Sequence, residues 1–289
     1  MTERASETAV LAALARASAV IDQRFPEPGT DDVVRKLLPA KARRLIWPFI
    51  RHIVRWFMVR RMPGAYGFVY ARTRVIDEHV RQAISEGATQ LVVIGAGLDT
   101  RALRFAKPGL TVFEIDQVLT QTFKRERLVA AKLDPTANGT QYVSFDFNRG
   151  RLGDVLAQQG FKREERTCVI AEGFSFYVKP PAIYALLGFV AGECAPGSSI
   201  VFDYIDAATA DGTTKDREAK KTRKAVAARG EPFQFGIHFG TLQEHLEPMG
   251  LTVIRDYHAE ELEQAYAIPV TEHPSLHIGK FYGLCVARR

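Results

Sequence analysis

Apolar positions fall along this chain in two rhythms. Short continuous runs at 91–94, 111–115, 140–145, 167–171, 198–204, 251–257 and 280–287 have the pattern of buried strands. Between them, stretches at 68–85, 118–132 and 180–193 read as helices, and 5–22 is a further helix rich in alanine. This alternation predicts an α/β protein of five βα units and a closing strand pair. The result is a seven-stranded, mostly parallel sheet with its last strand reversed and helices on both faces.

The residues ahead of the first strand follow a different rule. Beyond Pro39 the pairs Leu45/Ile46, Phe49/Ile50, Ile53/Val54 and Phe57/Met58 recur every fourth position, between Arg43, Arg44, Arg51, Arg55, Arg60 and Arg61. That spacing predicts one apolar helical stripe, with Pro48 in its first turn and Pro63-Gly64 at its end. Its expected role is packing combined with a lid over the crevice that the sheet opens; a helix lying on a membrane surface is a third reading, ranked below both. The expected division is an N-terminal helical lid, 1–66, and a main domain, 67–289, with a charged insertion, mobile or helical, at about 206–229.

Composition changes this picture in two places. The 289 residues carry 39 Lys or Arg against 33 Asp or Glu, a net +6, yet from Arg35 to Arg74 there are eleven basic residues and no acid. The excess is local, which points to an acidic substrate, an anionic surface or an acidic partner; for any single arginine a solvated helix face is the simpler reading. The three cysteines, Cys168, Cys194 and Cys285, are far apart and adjoin apolar runs, so buried reduced thiols in a cytoplasmic protein are expected, without disulfides or zinc. The N-terminal stretch carries acids throughout and no export-type cleavage pattern, and no run of eighteen apolar residues occurs. Neither a signal peptide nor a membrane span is therefore expected.

Candidate chemistry sits where the first strand ends. Leu91-Val92-Val93-Ile94 runs into Gly95-Ala96-Gly97, and Asp99-Thr100 can open a helix. Glycine is needed where a side chain would forbid the turn or block a ligand pressed against the backbone. Nineteen residues past Gly97, the next strand ends in Asp116, placed to accept both hydroxyls of a ribose. In a dinucleotide site the position of Thr100 is usually a third glycine, and Asp99 would set a carboxylate beside the diphosphate. S-adenosyl-L-methionine has no phosphate and carries a sulfonium, so it is preferred over a nicotinamide cofactor.

The third strand delivers Asp146-Phe147, an acceptor beside an apolar ring face, as adenine requires; alone, Asp146 could as easily cap a turn. The fourth ends in Glu172-Gly173, over the crevice that parallel sheets open at their carboxyl ends. Arg72 and Arg74, two apart on a helix, point to different faces, so at most one faces a ligand. No metal-ligand cluster and no Ser/His/Asp arrangement is apparent by spacing. His238, His245, His258, His273 and His277 read as surface or satisfied core histidines.

The runs Val93-Ile94-Gly95-Ala96-Gly97-Leu98-Asp99-Thr100-Arg101, Phe113-Glu114-Ile115-Asp116 and Ala171-Glu172-Gly173 together resemble the leucine carboxyl methyltransferase family. Within it they are most similar to a bacterial branch that includes the tetracenomycin polyketide carboxyl O-methyltransferase. The resemblance runs well from about Pro63 to Tyr204 and loosely outside it. It implies a class I, Rossmann-like fold with S-adenosyl-L-methionine as methyl donor. Carried over by position, it implies that Arg72 pairs with the donor's methionine carboxylate and that Gly95, Ala96 and Gly97 approach its methionine and ribose. Asp116, with Gln117 beside it, would hold the ribose, Asp146 and Phe147 the adenine, and Glu172 and Gly173 would lie beside the amino-acid part. Tyr177 and Arg72 are the candidates for orienting the acceptor.

The expected reaction is O-methylation of a small-molecule carboxylate, polyketide-like, to a methyl ester. A carboxylate is already an anion at neutral pH, so it needs positioning and desolvation and no general base. Alternatives are a protein C-terminal carboxylate, a phenolic hydroxyl, which would want a base, or a protein that binds the donor without catalysis. Nucleic acid is not an expected partner, because no aromatic and basic strand platform is apparent, and a homodimer stays open.

Overall fold

A computed structural model describes residues 7–136, 139–147 and 150–289. Five helices precede the first strand: α1 (Glu7–Val20), α2 (Val34–Leu37), α3 (Ala40–Arg44), α4 (Arg51–Arg61) and the long α5 (Ala65–Ser85). Strands and helices then alternate through β1 (Gln90–Ile94), α6 (Arg101–Arg104), β2 (Thr111–Asp116), α7 (Val118–Ala130), β3 (Gln141–Ser144), α8 (Leu152–Gln158), β4 (Thr167–Ala171), α9 (Pro180–Glu193) and β5 (Ser199–Ile205). The chain continues with α10 (Ala207–Asp211), α11 (Arg217–Ala227), α12 (Leu242–Leu246), β6 (Thr252–His258), α13 (Ala259–Ala265) and β7 (Tyr282–Arg288).

The strands form one sheet in the order β3-β2-β1-β4-β5-β7-β6. The first five are mutually parallel and β7 runs antiparallel to both β5 and β6, as the reversed last strand requires. Every residue of β1, β4 and β5 is buried, which is why these strands are apolar without alternation. Their side chains still divide by period two. Leu91 and Val93 face a layer built with Ile76 and Val80 of α5, whereas Val92 and Ile94 face Leu186 and Val190 of α9. Sheet order reverses between β1 and β4, and it is at the carboxyl ends of the strands beside such a switch point that open α/β sheets bind ligands.

The stripe beyond Pro39 is not the single inward-facing helix its spacing predicts. Pro48 lies in a turn between α3 and α4, outside either helix, where its missing N–H costs no helical hydrogen bond. Three of the four apolar pairs are also split between faces, and both members of Phe49/Ile50 are exposed. Ile46 is buried and Val54 and Met58 are half-buried against the body, while Leu45, Phe49, Ile53 and Phe57 are exposed. Helix neighbours in sequence are about 100° apart around the axis, so one narrow contact cannot cover both members of such pairs. The charged insertion is helical: α11 packs through Ala219 and Val226, and Glu218 is bonded at 2.8 Å to His277 Nε2.

Helix α5 seats tightly on the loop ahead of β7. A Cβ added at Gly67 would lie 2.0 Å from the Leu276 carbonyl oxygen and 2.7 Å from that of His277. Backbone oxygens cannot rotate aside, so Gly67→Ala should cost about 1–3 kcal/mol, measured as a lower midpoint of chemical unfolding. An unchanged midpoint would show that this contact does not fix α5.

Candidate active site

β1 and β2 end level with each other, Ile94 opposite Ile115. Past Ile94 the chain turns through Gly95 and Gly97 with φ of +61° and +43°, the left-handed region that a Cβ disfavours. Two hydrogen bonds fasten the turn to β2, and a third sets the Asp116 carboxylate. Ala96 N–H donates to the Ile115 carbonyl at 3.0 Å, Gly97 N–H to Asp116 Oδ2 at 2.7 Å, and Gln117 N–H to Asp116 Oδ1 at 2.7 Å. Asp116 thus reads the turn through its backbone, and each oxygen keeps lone-pair capacity for a hydroxyl. Burial pushes its carboxyl above the usual carboxylate range, against the pull of the Gly97 and Gln117 donors. Gln117 contributes its N–H, and its side chain is exposed.

Beyond β3, Asp146 is exposed and Phe147 half-buried. The Phe147 ring meets Phe145 edge-on at 4.9 Å and Phe174 at 5.0 Å. Phe174 also covers the turn, since a Cβ at Gly95 would lie 3.1 Å from its Cδ2. Sequence reasoning missed Phe174, although it stands in the aromatic run directly after Glu172-Gly173. From the other side a Cβ at Gly97 would lie 3.1 Å from the Cβ of Ala9, so α1 caps the same turn.

Behind the turn lies a buried charge network that the spacing arguments did not reveal. Arg101 Nε donates to Asp77 at 2.8 Å and its Nη1 to Glu172 Oε2 at 2.7 Å and to Asp99. Arg104 reaches Asp77 at 2.6 Å. Arg16 of α1 joins Asp31 at 3.1 Å, the Leu98 carbonyl at 2.9 Å and Glu172 Oε1 at 3.5 Å. Arg72 bridges Glu172 Oε1 at 2.9 Å and Asp203 of β5, and Asp203 accepts the Gly173 N–H at 2.8 Å. Arg74 turns away to Glu27, so of the two α5 arginines only Arg72 enters the network. Burial would raise Glu172, but Arg72, Arg101 and Arg16 hold its carboxyl far below the usual range. Asp203 is pushed up by burial, with Arg72 opposing and Glu172 adding to the rise. Asp99 is not the bare carboxylate that argued against a diphosphate, because Arg101 engages it.

Four arginines here face five carboxylates, which leaves one negative charge unbalanced. Arg72 Nε and Arg101 Nη2 are buried and have no hydrogen-bond partner among the described residues, and Glu172 Oε1, ion-paired with Arg72 and Arg16, accepts no well-aligned hydrogen bond there. A ligand bearing ammonium, sulfonium and carboxylate has a net charge of the matching sign and supplies both kinds of partner. The donor set therefore fits S-adenosyl-L-methionine. Tyr177, in a short turn after β4, packs on Phe176 at 4.7 Å and Phe233 at 5.8 Å. Burial, and then the nearby Glu231, push its phenol up, so it stays protonated and can donate a hydrogen bond but not act as a base.

The strand order with its reversed last strand and the glycine turn clasped by an acid are those of the class I methyltransferase fold. The chain belongs to the leucine carboxyl methyltransferase family, whose profile matches residues 9–191. It is 31% identical over 200 residues to the Bacillus subtilis protein named "Putative S-adenosyl-L-methionine-dependent methyltransferase YktD", covering 68% of this chain and 64% of that one. A similarly named Mycolicibacterium paratuberculosis protein is 32% identical over 248 residues, 81% of this chain and 76% of the relative. The chain thus spans just under two thirds of the length of YktD. Among solved structures, an S-adenosylmethionine-dependent methyltransferase from Mesorhizobium loti matches the fold with a TM-score of 0.52 at 16% identity, over 76% of this chain and 98% of the other.

Breaking one member of a buried ion cluster leaves its partners uncompensated, typically at about 3–5 kcal/mol. Arg101→Met should therefore lower unfolding free energy by about that amount, measured by chemical denaturation. A loss under about 1 kcal/mol would place Arg101 in a solvated, weakly coupled setting instead.

Proposed function

We propose that the protein transfers a methyl group from S-adenosyl-L-methionine to a carboxylate of a small molecule, giving a methyl ester. The observation that carries this reading is an electrostatic one. The crevice side of the sheet offers fixed arginines and a protonated phenol, and no histidine is bonded to Arg72, Asp116, Glu172 or Tyr177 among the described residues. Such a site suits a nucleophile that arrives already ionised.

Gly95, Ala96 and Gly97 would admit the donor against their backbone, Asp116 would hold the ribose, and Asp146 with Phe147 and Phe174 would border the adenine. Glu172, Gly173 and the unfilled donors of Arg72 and Arg101 would face the amino-acid part. When bound, the donor supplies an electrophilic methyl on sulfur. The residues' part is to orient and dehydrate: Tyr177 and Arg72 would present donors to the acceptor carboxylate, and Phe176 and Phe233 would exclude water around it. An aromatic wall of this kind favours a polyketide-like acid as acceptor. The N-terminal helices, through Ala9 over Gly97, would serve as a lid. A cytoplasmic setting is supported by three cysteines that are all buried and free, and no helix among the described residues is long and apolar enough to cross a membrane.

Two measurements test this reading. Asp116→Ala should weaken donor binding by roughly tenfold or more in calorimetry, as for loss of a charged hydrogen-bond acceptor. Burial raises the Asp116 carboxyl, so in the native protein donor affinity should fall on acidification sooner than an ordinary aspartate would allow. Unchanged binding in the variant would remove Asp116 from the site. Incubation with methyl-labelled donor and a panel of carboxylic acids and phenols should yield base-labile label on an acid. Base-stable label on a phenol alone would overturn carboxylate methylation.

A further inference from the structure

The outward half of residues 41–61 has no use in the fold. Trp47, Phe49, Ile53, Trp56 and Phe57 are 55%, 91%, 64%, 57% and 58% exposed, all within eleven residues. Monomer surfaces carry single exposed apolar residues as a matter of course, but a cluster of five large ones marks an interaction face. Basic side chains flank it on both sides in sequence. Lys41, Arg43 and Arg44 precede it, Arg60 and Arg61 follow it, and all five are exposed and in no ion pair among the described residues. Arg55, on the inward side of the same helix, does have a partner, Asp22 at 2.8 Å. Within 41–61, every exposed lysine and arginine is thus unneutralised and lies beside the uncovered apolar side chains.

We propose that this face docks on an anionic lipid surface, with α4 lying in the interfacial plane. Charge decides between occupants. A second copy packed about a two-fold axis would bring the same five cations against themselves, so self-pairing is opposed by the charges that surround the apolar centre. An anionic bilayer answers both features at once: its headgroups neutralise the basic rim, and its acyl boundary accepts indole, phenyl and isoleucyl side chains. The face would lie on the bilayer without spanning it, and no helix among the described residues is long and apolar enough to cross. The inner positions of the same segment, Ile46, Val54 and Met58, pack in one cluster with Leu98 of the glycine turn. The docked face and the glycine turn thus share one hydrophobic cluster. The inference stands on surface chemistry and does not depend on which acceptor is methylated.

The chain has only two tryptophans, Trp47 and Trp56, and both lie on this face, so intrinsic fluorescence reports on it directly. Full-length protein titrated with phosphatidylcholine vesicles containing phosphatidylserine should show a blue shift of tryptophan emission and co-sediment with the vesicles. Pure phosphatidylcholine vesicles should give neither, and raised salt should reverse both. Phe49→Ser with Phe57→Ser keeps both reporters and should weaken vesicle partition by roughly tenfold or more. Arg43→Gln, Arg44→Gln, Arg60→Gln and Arg61→Gln combined should abolish the preference for anionic lipid, with the unfolding midpoint unchanged in each variant. No emission shift with anionic vesicles would overturn the proposal. So would a stable dimer in sedimentation equilibrium that Phe49→Ser dissociates, since the face would then belong to a second copy.

Discussion

Glu172 is the residue on which the arrangement turns. Its carboxylate, at the end of β4, is shared by Arg16 from α1, Arg72 from α5 and Arg101 from the segment after the glycine turn, so one buried anion joins three separate pieces of chain to the sheet. Buried ion pairs are poor sources of net stability, because dehydrating each partner costs about as much as their attraction returns. What this one supplies is position. An apolar replacement of similar volume could hold α1 and α5 on the sheet, but it could not fix where the turn's carbonyl and carboxylates point. Arg16 shows the difference, since it also takes the Leu98 carbonyl and thereby links the N-terminal helix to the turn itself.

The turn in consequence has little freedom of its own. Its backbone is bonded to β2 through Ala96 and Gly97, Phe174 lies over Gly95, and Ala9 lies over Gly97. A ligand that approaches this backbone must share the space with Phe174 and α1. The two layers above the turn differ in how firmly they are held. Phe174 is a ring on a short segment after β4, able to rotate, whereas α1 is held by Arg16 and by Ala15 and Ala19 in the main hydrophobic layer. Side-chain rotation at Phe174 is therefore the cheaper accommodation, and displacement of α1 would require the network to rearrange.

What could be read from residues alone was what depends on local order. Strand runs, the glycine turn, Asp116 at the next strand tip and the reversed closing strand all follow from period and spacing, and the structure places them together. Contacts between residues distant in sequence were not legible. Asp203 sits in an apolar run as a lone aspartate, and nothing in its neighbourhood says that Arg72, 131 positions earlier, will meet it. Asp77 and Arg101 are likewise far apart in sequence and become partners only once α5 lies behind β1. A buried charge inside an apolar strand or helix was the available signal, because such a group needs a partner from elsewhere. Phe174 was missed for a different reason, as one of several aromatics whose directions after β4 depend on a short turn that spacing does not specify.

The N-terminal stripe shows where periodicity misleads by being half right. A repeat of apolar pairs every fourth residue fits a helix with a broad contact, and inner members Ile46, Val54 and Met58 do make one, in the cluster that includes Leu98. That contact accounts for one residue of three of the four pairs and for neither Phe49 nor Ile50. The other members are apolar, exposed and next to cations that the rest of the chain does not neutralise, so neither folding nor solubility explains their composition. Selection for a solvated helix face would have placed polar side chains there at no cost to the inner contact. The outer face must therefore answer to something outside the chain. Since its inner members share a hydrophobic cluster with Leu98, whatever covers it adjoins the core that backs the glycine turn.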